Sequence, residues 1–360
     1  MSQYVAVGSL TRPAPQFAAA EGAGVTLCRF DDKTGVLSVA ADPLRLEDAT
    51  WLVAAPGGGR FYAVTDTDGG HESALAVLGL DRDAAALRLI ETRPAGGHDG
   101  CHAVVTRDGG QVLVANYGGP REDGPQAGLA VFGLRDGRLG APDLHTHSGS
   151  GPNRARQEGP HAHCVALSPD ERFAFVADLG TDRLVAYERT ETGAHPRPDL
   201  DTALPPGTGP RHFVFSADGR RVYVVGELIA AVTSLSYAPE TGRMEVLAAE
   251  PLAPAGGAPV QPAGIVLHPD GRHLLVSVRL SEEIVVLALD GPDATARTVS
   301  RHPAGGTTPR DLTVSPSGRH LLVANQDSSR VVVWPLTDAR PGPEPTCVLP
   351  LGTPMRVAFA

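Results

Sequence analysis

The chain has 360 residues, of which 42% are hydrophobic and 20% charged, and a formal net charge of -10 at pH 7. Such a chain can bury a large core, and acidic charge spread without a basic stripe argues against nucleic acid as a partner. No apolar run is long enough to cross a bilayer as a helix, so no membrane partner is expected. The opening YVAVGSL reads as a strand without a basic-then-apolar leader, which makes the cytoplasm the expected compartment. Cys28, Cys101, Cys164 and Cys347 are widely spaced, with no CxxC pair and no metal-ligand spacing. They are read as reduced, small packing residues, and neither a metal nor another cofactor is expected.

Taken in order, the chain begins with a strand at Tyr4 to Ser9, followed by strand candidates GVTLCRF (Gly24 to Phe30) and GVLSVAA (Gly35 to Ala41). A recurring unit then sets in: WLVAAPGGGRFYAVTD from Trp51, HAVVTRDGGQVLVANYG from His102, GPHAHCVALSPDERFAFVADLG from Gly159, HFVFSADGRRVYVVGEL from His212, GIVLHPDGRHLLVSVRL from Gly264 and DLTVSPSGRHLLVANQD from Asp311. Each is an apolar run, a turn built on Pro, Asp and Gly, and a second β-branched run ending in a polar residue, which is a β-hairpin pattern. With Arg60, Gln111, Arg172, Arg220, Arg272 and Arg319 taken as equivalent, the intervals are 51, 61, 48, 52 and 47 residues. An all-β period of about 50 predicts a propeller, because one four-stranded blade cannot bury its own faces and a closed ring of blades can.

The chain ends on TPMRVAFA (Thr353 to Ala360), which copies TPRDLTVS (Thr308 to Ser315) and stops after one strand. That strand supplies the one missing from the opening blade and removes two free sheet edges. The expectation is therefore an all-β fold in one domain, a seven-bladed β-propeller with four antiparallel strands per blade. Its blades are 355–360 with 1–46, then 47–98, 99–157, 158–206, 207–257, 258–306 and 307–353, with no helix. Asn116 to Phe132 and His145 to Pro160 are Gly/Pro-rich insertions, read either as mobile surface loops or as a functional rim.

The hairpins locate a site. In each, the first strand begins on the side where the second ends, so residues just before the first strand and just after the second share one mouth. Before the first strands stand His102, His161, His163, Arg211, His212, Gln261 and Arg310; after the second strands stand Asp66, Asn116, Tyr117, Asp178, Glu227, Arg279, Asn325 and Gln326. That opening is rich in acid-base groups.

GPHAHCVALSPDERFAFVADLGTDRLVAY, GTGPRHFVFSADGRRVYVVGEL and GGTTPRDLTVSPSGRHLLVANQDS resemble the lactonase family of seven-bladed propellers, which contains bacterial 6-phosphogluconolactonases and fungal carboxy-muconate lactonizing enzymes. The resemblance covers nearly the whole chain and implies metal-independent opening or closing of a lactone. By motif, the family's functional His, two Arg and Glu fall on His163 or its neighbour His161, on Arg211 and Arg279, and on Glu227. The chain departs from the family where Gly226 and Val278 stand in place of Asn, Gly264 in place of a Glu, and Asp66 where Glu is common.

Lactone opening needs a base to activate water, donors for the oxyanion and a proton for the leaving alkoxide. His163 or His161 can exchange that proton near neutral pH, with Glu227 as orienting or acid-base partner. Arg211 and Arg279 suit a carboxylate or phosphate, so a small anionic substrate is expected. His102, His212, Arg310, Asn116, Asp178, Gln261 and Asn325 complete the candidate substrate-binding set, although the Asx residues also suit turns. Arg211 and Glu227 equally suit a structural ion pair, weak if exposed. His145 and His147 lack a third ligand for a metal.

The expected function is hydrolysis or formation of a lactone of an anionic sugar acid or unsaturated carboxylic acid. The alternatives are a propeller that binds a small anionic metabolite without catalysis, and a cyclase or isomerase acting on a non-sugar substrate. The Gly-His and Trp-Asp pairs of a WD-repeat platform do not recur, and the arginine-rich mouth does not suit a calcium cage. The oligomeric state stays open, since acidic charge spread around a ring neither favours nor opposes self-association.

Overall fold

The computed structural model of the chain describes residues 2–13, 20–65, 72–118, 126–253, 256–291 and 293–360. Among them there is no helix, and the strands form seven antiparallel sheets. Six sheets follow the chain within 49–94, 100–145, 162–203, 210–251, 261–303 and 309–350. The seventh sets Val36–Val39, Val25–Asp31, Ser2–Ser9 and Pro354–Phe359 side by side. In the 162–203 and 309–350 sheets the outermost position is shared by two short segments, Ala194–Pro196 with Thr202–Ala203 and Arg340–Pro341 with Cys347–Pro350. By contact the chain falls into two compact units, Met1–Ala63 with Leu78–Ile90 and Leu252–Ala360, and Val64–Val77 with Glu91–Pro251.

Burial explains the sequence pattern. The second strands Gln111–Asn116, Phe173–Asp178 and His320–Asn325 are buried at every position, so they read as unbroken apolar runs and not as alternating ones. The outer strand Arg243–Pro251 is mostly exposed and polar. Sheets pack face to face through Phe173, Phe175, Phe213 and Tyr237 in one unit, and through Leu275, Leu312, Val323 and Trp334 in the other. Each such side chain contributes about 1.5–3 kcal/mol by leaving water. Cys28 is buried in a third cluster with Val5, Phe30 and Val357, and burial pushes its thiol up to about 12.

The backbone of the hairpin turn is the same device each time, closed by a hydrogen bond from its fourth residue to the carbonyl of its first. After Ser168, Glu171 N donates to the Ser168 carbonyl at 2.8 Å, and Ser168 Oγ donates to Asp170 at 2.6 Å while accepting from Phe173 N. The residue closing the turn has positive φ. It is Gly109, Gly219, Gly271 and Gly318 in other repeats but Glu171 here, at φ 57.

The N-terminal strand pairs with the C-terminal one as expected, Val5 with Phe359, Ala6 with Ala358 and Val7 with Val357. Within the same unit, Asp32 accepts from Ser317 Oγ at 2.6 Å and pairs with Arg319 at 2.7 Å, tying the turn of the terminal sheet to that of the 309–350 sheet.

Candidate active site

The first strands Gly100–Val105, Ala162–Leu167 and Pro210–Phe215 belong to one compact unit, and each is bulged at its start. In the ladder, Gly100 pairs with Asn116 but His102 with Ala115, which leaves Cys101 as the extra residue. Ala162 pairs with Asp178 and Cys164 with Ala177, leaving His163. Pro210 pairs with Gly226 and Phe213 with Val224, so Arg211 and His212 together oppose Val225. A bulge frees a residue from the ladder and re-aims its side chain, and here it gathers imidazoles. His212 stands edge-on to His163, with ring centroids 5.2 Å apart, and to His102 at 5.3 Å. His163 is also edge-on to Tyr117 at 5.3 Å.

Next to this cluster Glu227 lies between two guanidinium groups. Arg211 Nε is 3.1 Å from one carboxylate oxygen and Arg156 Nη2 donates to the other at 2.7 Å. The Arg211 and Glu227 side chains are only 3% and 4% exposed, so this is a buried pair and not the weak rim pair. Arg211 Nη1 continues to His212 Nε2 at 3.2 Å, which links Glu227 to the imidazoles. Arg156 Nη2 also donates to the Tyr117 hydroxyl at 3.3 Å. Burial opposes the Arg156 charge, yet Glu227 and Tyr117 hold it protonated above its usual range. Burial likewise pushes the Tyr117 phenol above its ordinary value, against the pull of Arg156. The phenol therefore stays protonated.

Arg156 comes from the His145 to Pro160 insertion and was not singled out by the sequence; the only signal is a basic RAR run that ends two residues short of GPHAH. The loop is built, and its anchor is Gln157, which is fully buried. Gln157 Nε2 donates to the Leu179 carbonyl at 2.9 Å and to Asp182 at 2.8 Å, and Gln157 Oε1 accepts from Asn153 N at 3.0 Å. Asp182 also accepts from Gly207 N and, at 2.7 Å, from Gly209 N. Gly209 in turn accepts from Glu227 N through its carbonyl at 2.9 Å. One buried Asp–Gln pair thus positions both arginines and the carboxylate between them.

The two histidines of GPHAH differ. His161 stacks on Tyr117 at 4.7 Å, with Nδ1 3.0 Å from the Tyr117 carbonyl and Nε2 3.1 Å from Glu158. Both ring nitrogens therefore face hydrogen-bond acceptors. His163 is flanked by Cys101, whose Sγ donates to the His163 carbonyl at 3.3 Å and lies 3.8 Å from Nδ1. His102 accepts from Val165 N at Nδ1, which places its proton on Nε2, facing Cys164 Sγ at 3.4 Å.

Other candidates hold the frame. Asn116 Nδ2 donates to the Ala95 and Ala127 carbonyls, and its oxygen accepts from Ser73. Asp178 accepts from His161 N, Gly180 N and Thr181 N and bonds His147 Nδ1 at 2.6 Å. His147 Nε2 reaches Tyr187, and His145 bonds Asp143, so both histidines of HTH face oxygen partners. Among the described residues no group of three or more His, Cys, Asp or Glu is arranged to hold a metal ion.

In the other compact unit, Arg279 pairs in register with Gln261 and donates to the Gln261 and Pro262 carbonyls. Arg310 is the extra residue of a bulge between Pro309 and Asp311, and buried Asn325 donates to the Ala304 carbonyl. Asp66 lies outside the described residues.

Two of the four departures expected from the family pattern meet local constraints. A Cβ on Gly226 would come within 2.9 Å of the Thr208 carbonyl oxygen, leaving no room for Asn. Beside Gly264 stands Asp311, 3% exposed, whose carboxylate is bound at both oxygens by Arg356 at 3.0 and 2.9 Å. A Glu at 264 would bring a second negative charge against it.

Three bulged first strands thus carry imidazoles at their starts, and a phenol and a doubly ion-paired carboxylate follow the second strands Gln111–Asn116 and Arg221–Gly226. The chain belongs to the family described as lactonase, 7-bladed beta-propeller, which matches residues 4–359. It is therefore a seven-bladed β-propeller. It is 28% identical over 314 residues to a 6-phosphogluconolactonase of Formosa agariphila, covering 85% of this chain and 84% of that one. A 6-phosphogluconolactonase of Bacillus subtilis is 27% identical over 323 residues, covering 87% and 85%. Among solved structures, the periplasmic gluconolactonase PpgL of Pseudomonas aeruginosa superposes with a TM-score of 0.89 at 28% identity, over 100% of this chain and 99% of that one. That neighbour is periplasmic, whereas the cytoplasm was expected here; among the described residues no helix is long and apolar enough to cross a membrane.

Proposed function

We propose that the chain hydrolyses a lactone of an anionic sugar acid, of the kind named in its 6-phosphogluconolactonase relatives. The observation that carries this reading is the chain of contacts running from His163 through His212 and Arg211 to Glu227. His163 takes a proton from water as the water oxygen adds to the lactone carbonyl. Arg156 already donates to the Tyr117 oxygen, so the phenol proton is directed outward to the developing oxyanion. The tetrahedral adduct then collapses, the acyl–oxygen bond breaks, and His163 returns its proton to the departing ring oxygen. The products balance as one hydroxy acid from one lactone and one water. Glu227, bound on both oxygens, acts here by fixing Arg211 and Arg156 and not by moving a proton.

The test is lactone loss followed by NMR with the purified protein against the spontaneous rate. A phosphorylated gluconolactone is expected to be opened faster than background. No acceleration with phosphorylated, carboxylated or neutral sugar lactones would overturn the proposal.

A further inference from the structure

Arg156 is the cation of this cluster that meets solvent, with its side chain 37% exposed against 3% for Arg211. Its Nη2 is committed to Glu227 and Tyr117, while among the described residues Nε and Nη1 have no hydrogen-bond partner. The guanidinium is held before any ligand arrives, because Arg156 N and Gln157 N both donate to the Asn153 carbonyl and the Gln157 side chain is locked on Leu179 and Asp182. Glu227 balances one of the two guanidinium charges, so this ion-paired trio keeps one positive charge, presented on the exposed arginine. Glu158, 60% exposed, is turned to His161.

From this geometry we infer that Arg156 is the specificity residue that reads the anionic group of the substrate, a phosphate or carboxylate carried on the lactone away from its carbonyl. The inference rests on the lactone hydrolysis proposed above. A prearranged guanidinium with spare N–H groups binds such an anion through charge-assisted hydrogen bonds and gives nothing comparable to a neutral sugar. The positioning is also economical in sequence, since the same Asp182 that anchors Gln157 receives Gly209 N, two residues before Arg211.

The experiment compares kcat/KM for a phosphorylated gluconolactone, a carboxylate-bearing aldaric lactone and neutral gluconolactone in the wild type, Arg156→Met and Arg156→Lys. The preference for the anionic over the neutral lactone should fall at least about tenfold in Arg156→Met, with part of it kept in Arg156→Lys. The anion whose preference collapses is the one that Arg156 reads. A role confined to supporting Glu227 would lower all three rates together, and a preference unchanged within about twofold would overturn the inference. Calorimetric binding of 6-phosphogluconate and of gluconate, the hydroxy acids, needs no turnover. Weaker binding of 6-phosphogluconate, or of the corresponding aldarate, relative to gluconate in Arg156→Met supports the inference even if no lactone is hydrolysed, and equal binding of both in the two proteins contradicts it.

Discussion

At the scale of single residues, the site separates groups that move protons from groups that hold them in place. Tyr117 is the donor for the oxyanion in this account, and Tyr117→Phe should lower kcat about 10²–10³-fold with little change in KM; a normal kcat would remove it from that role. Glu227 calls for a different measurement. Glu227→Gln takes the counter-charge from a guanidinium that is 3% exposed, which costs on the order of 3–5 kcal/mol. Its melting temperature should therefore fall clearly, and a variant that melts like the wild type would show that the pair carries little of the local stability. Activity lost in that variant mixes unfolding with chemistry, so it is a poor probe of catalysis.

At the scale of elements, the hairpins and their order are legible in the sequence because each strand is an apolar run bounded by its own turn residues, and both signals are local. The bulges are not legible. One extra residue in a ladder leaves no mark in composition, yet it determines that His163 and Arg211 leave the pairing at the strand starts while Ala162 and Pro210 stay in it. Arg156 is hidden for a related reason, since a Gly/Pro loop carries no periodicity and its order comes from one buried glutamine. The turn contacts allow a pH test. Burial works against the Asp32 charge, but hydrogen bonds from Ser317 and Arg319 keep its carboxyl below the ordinary range. A depressed carboxyl stabilises the fold above its unfolded value, near pH ~4, and loses that contribution as pH falls through the folded value. Asp32→Asn should thus be less stable by about 1 kcal/mol at pH 7, with the difference shrinking as pH falls through the folded value of the carboxyl. A gap in thermal melts that is the same at every pH would contradict this assignment.

At the scale of the whole molecule, the pairing of Pro354–Phe359 with Ser2–Ser9 makes the terminal sheet depend on both ends of the chain. Deleting the last six residues exposes strand edges on that sheet, and the truncated protein should aggregate or melt without cooperativity; a sharp melt at the wild-type temperature would refute the closure. Prolonged chelation should leave turnover unchanged, because the proposed water activation uses an imidazole and the described residues present no cluster of metal ligands. Loss of activity restored by calcium or zinc would move the chemistry elsewhere. The central claim is that His163, freed from the ladder by its bulge, is the base that opens the lactone. Its most direct test is kcat on a phosphorylated gluconolactone for His163→Ala beside His161→Ala, each with an unchanged melting temperature. The account predicts a fall of about 10²–10⁴-fold in His163→Ala and a much smaller one in His161→Ala, and full activity in His163→Ala would contradict it.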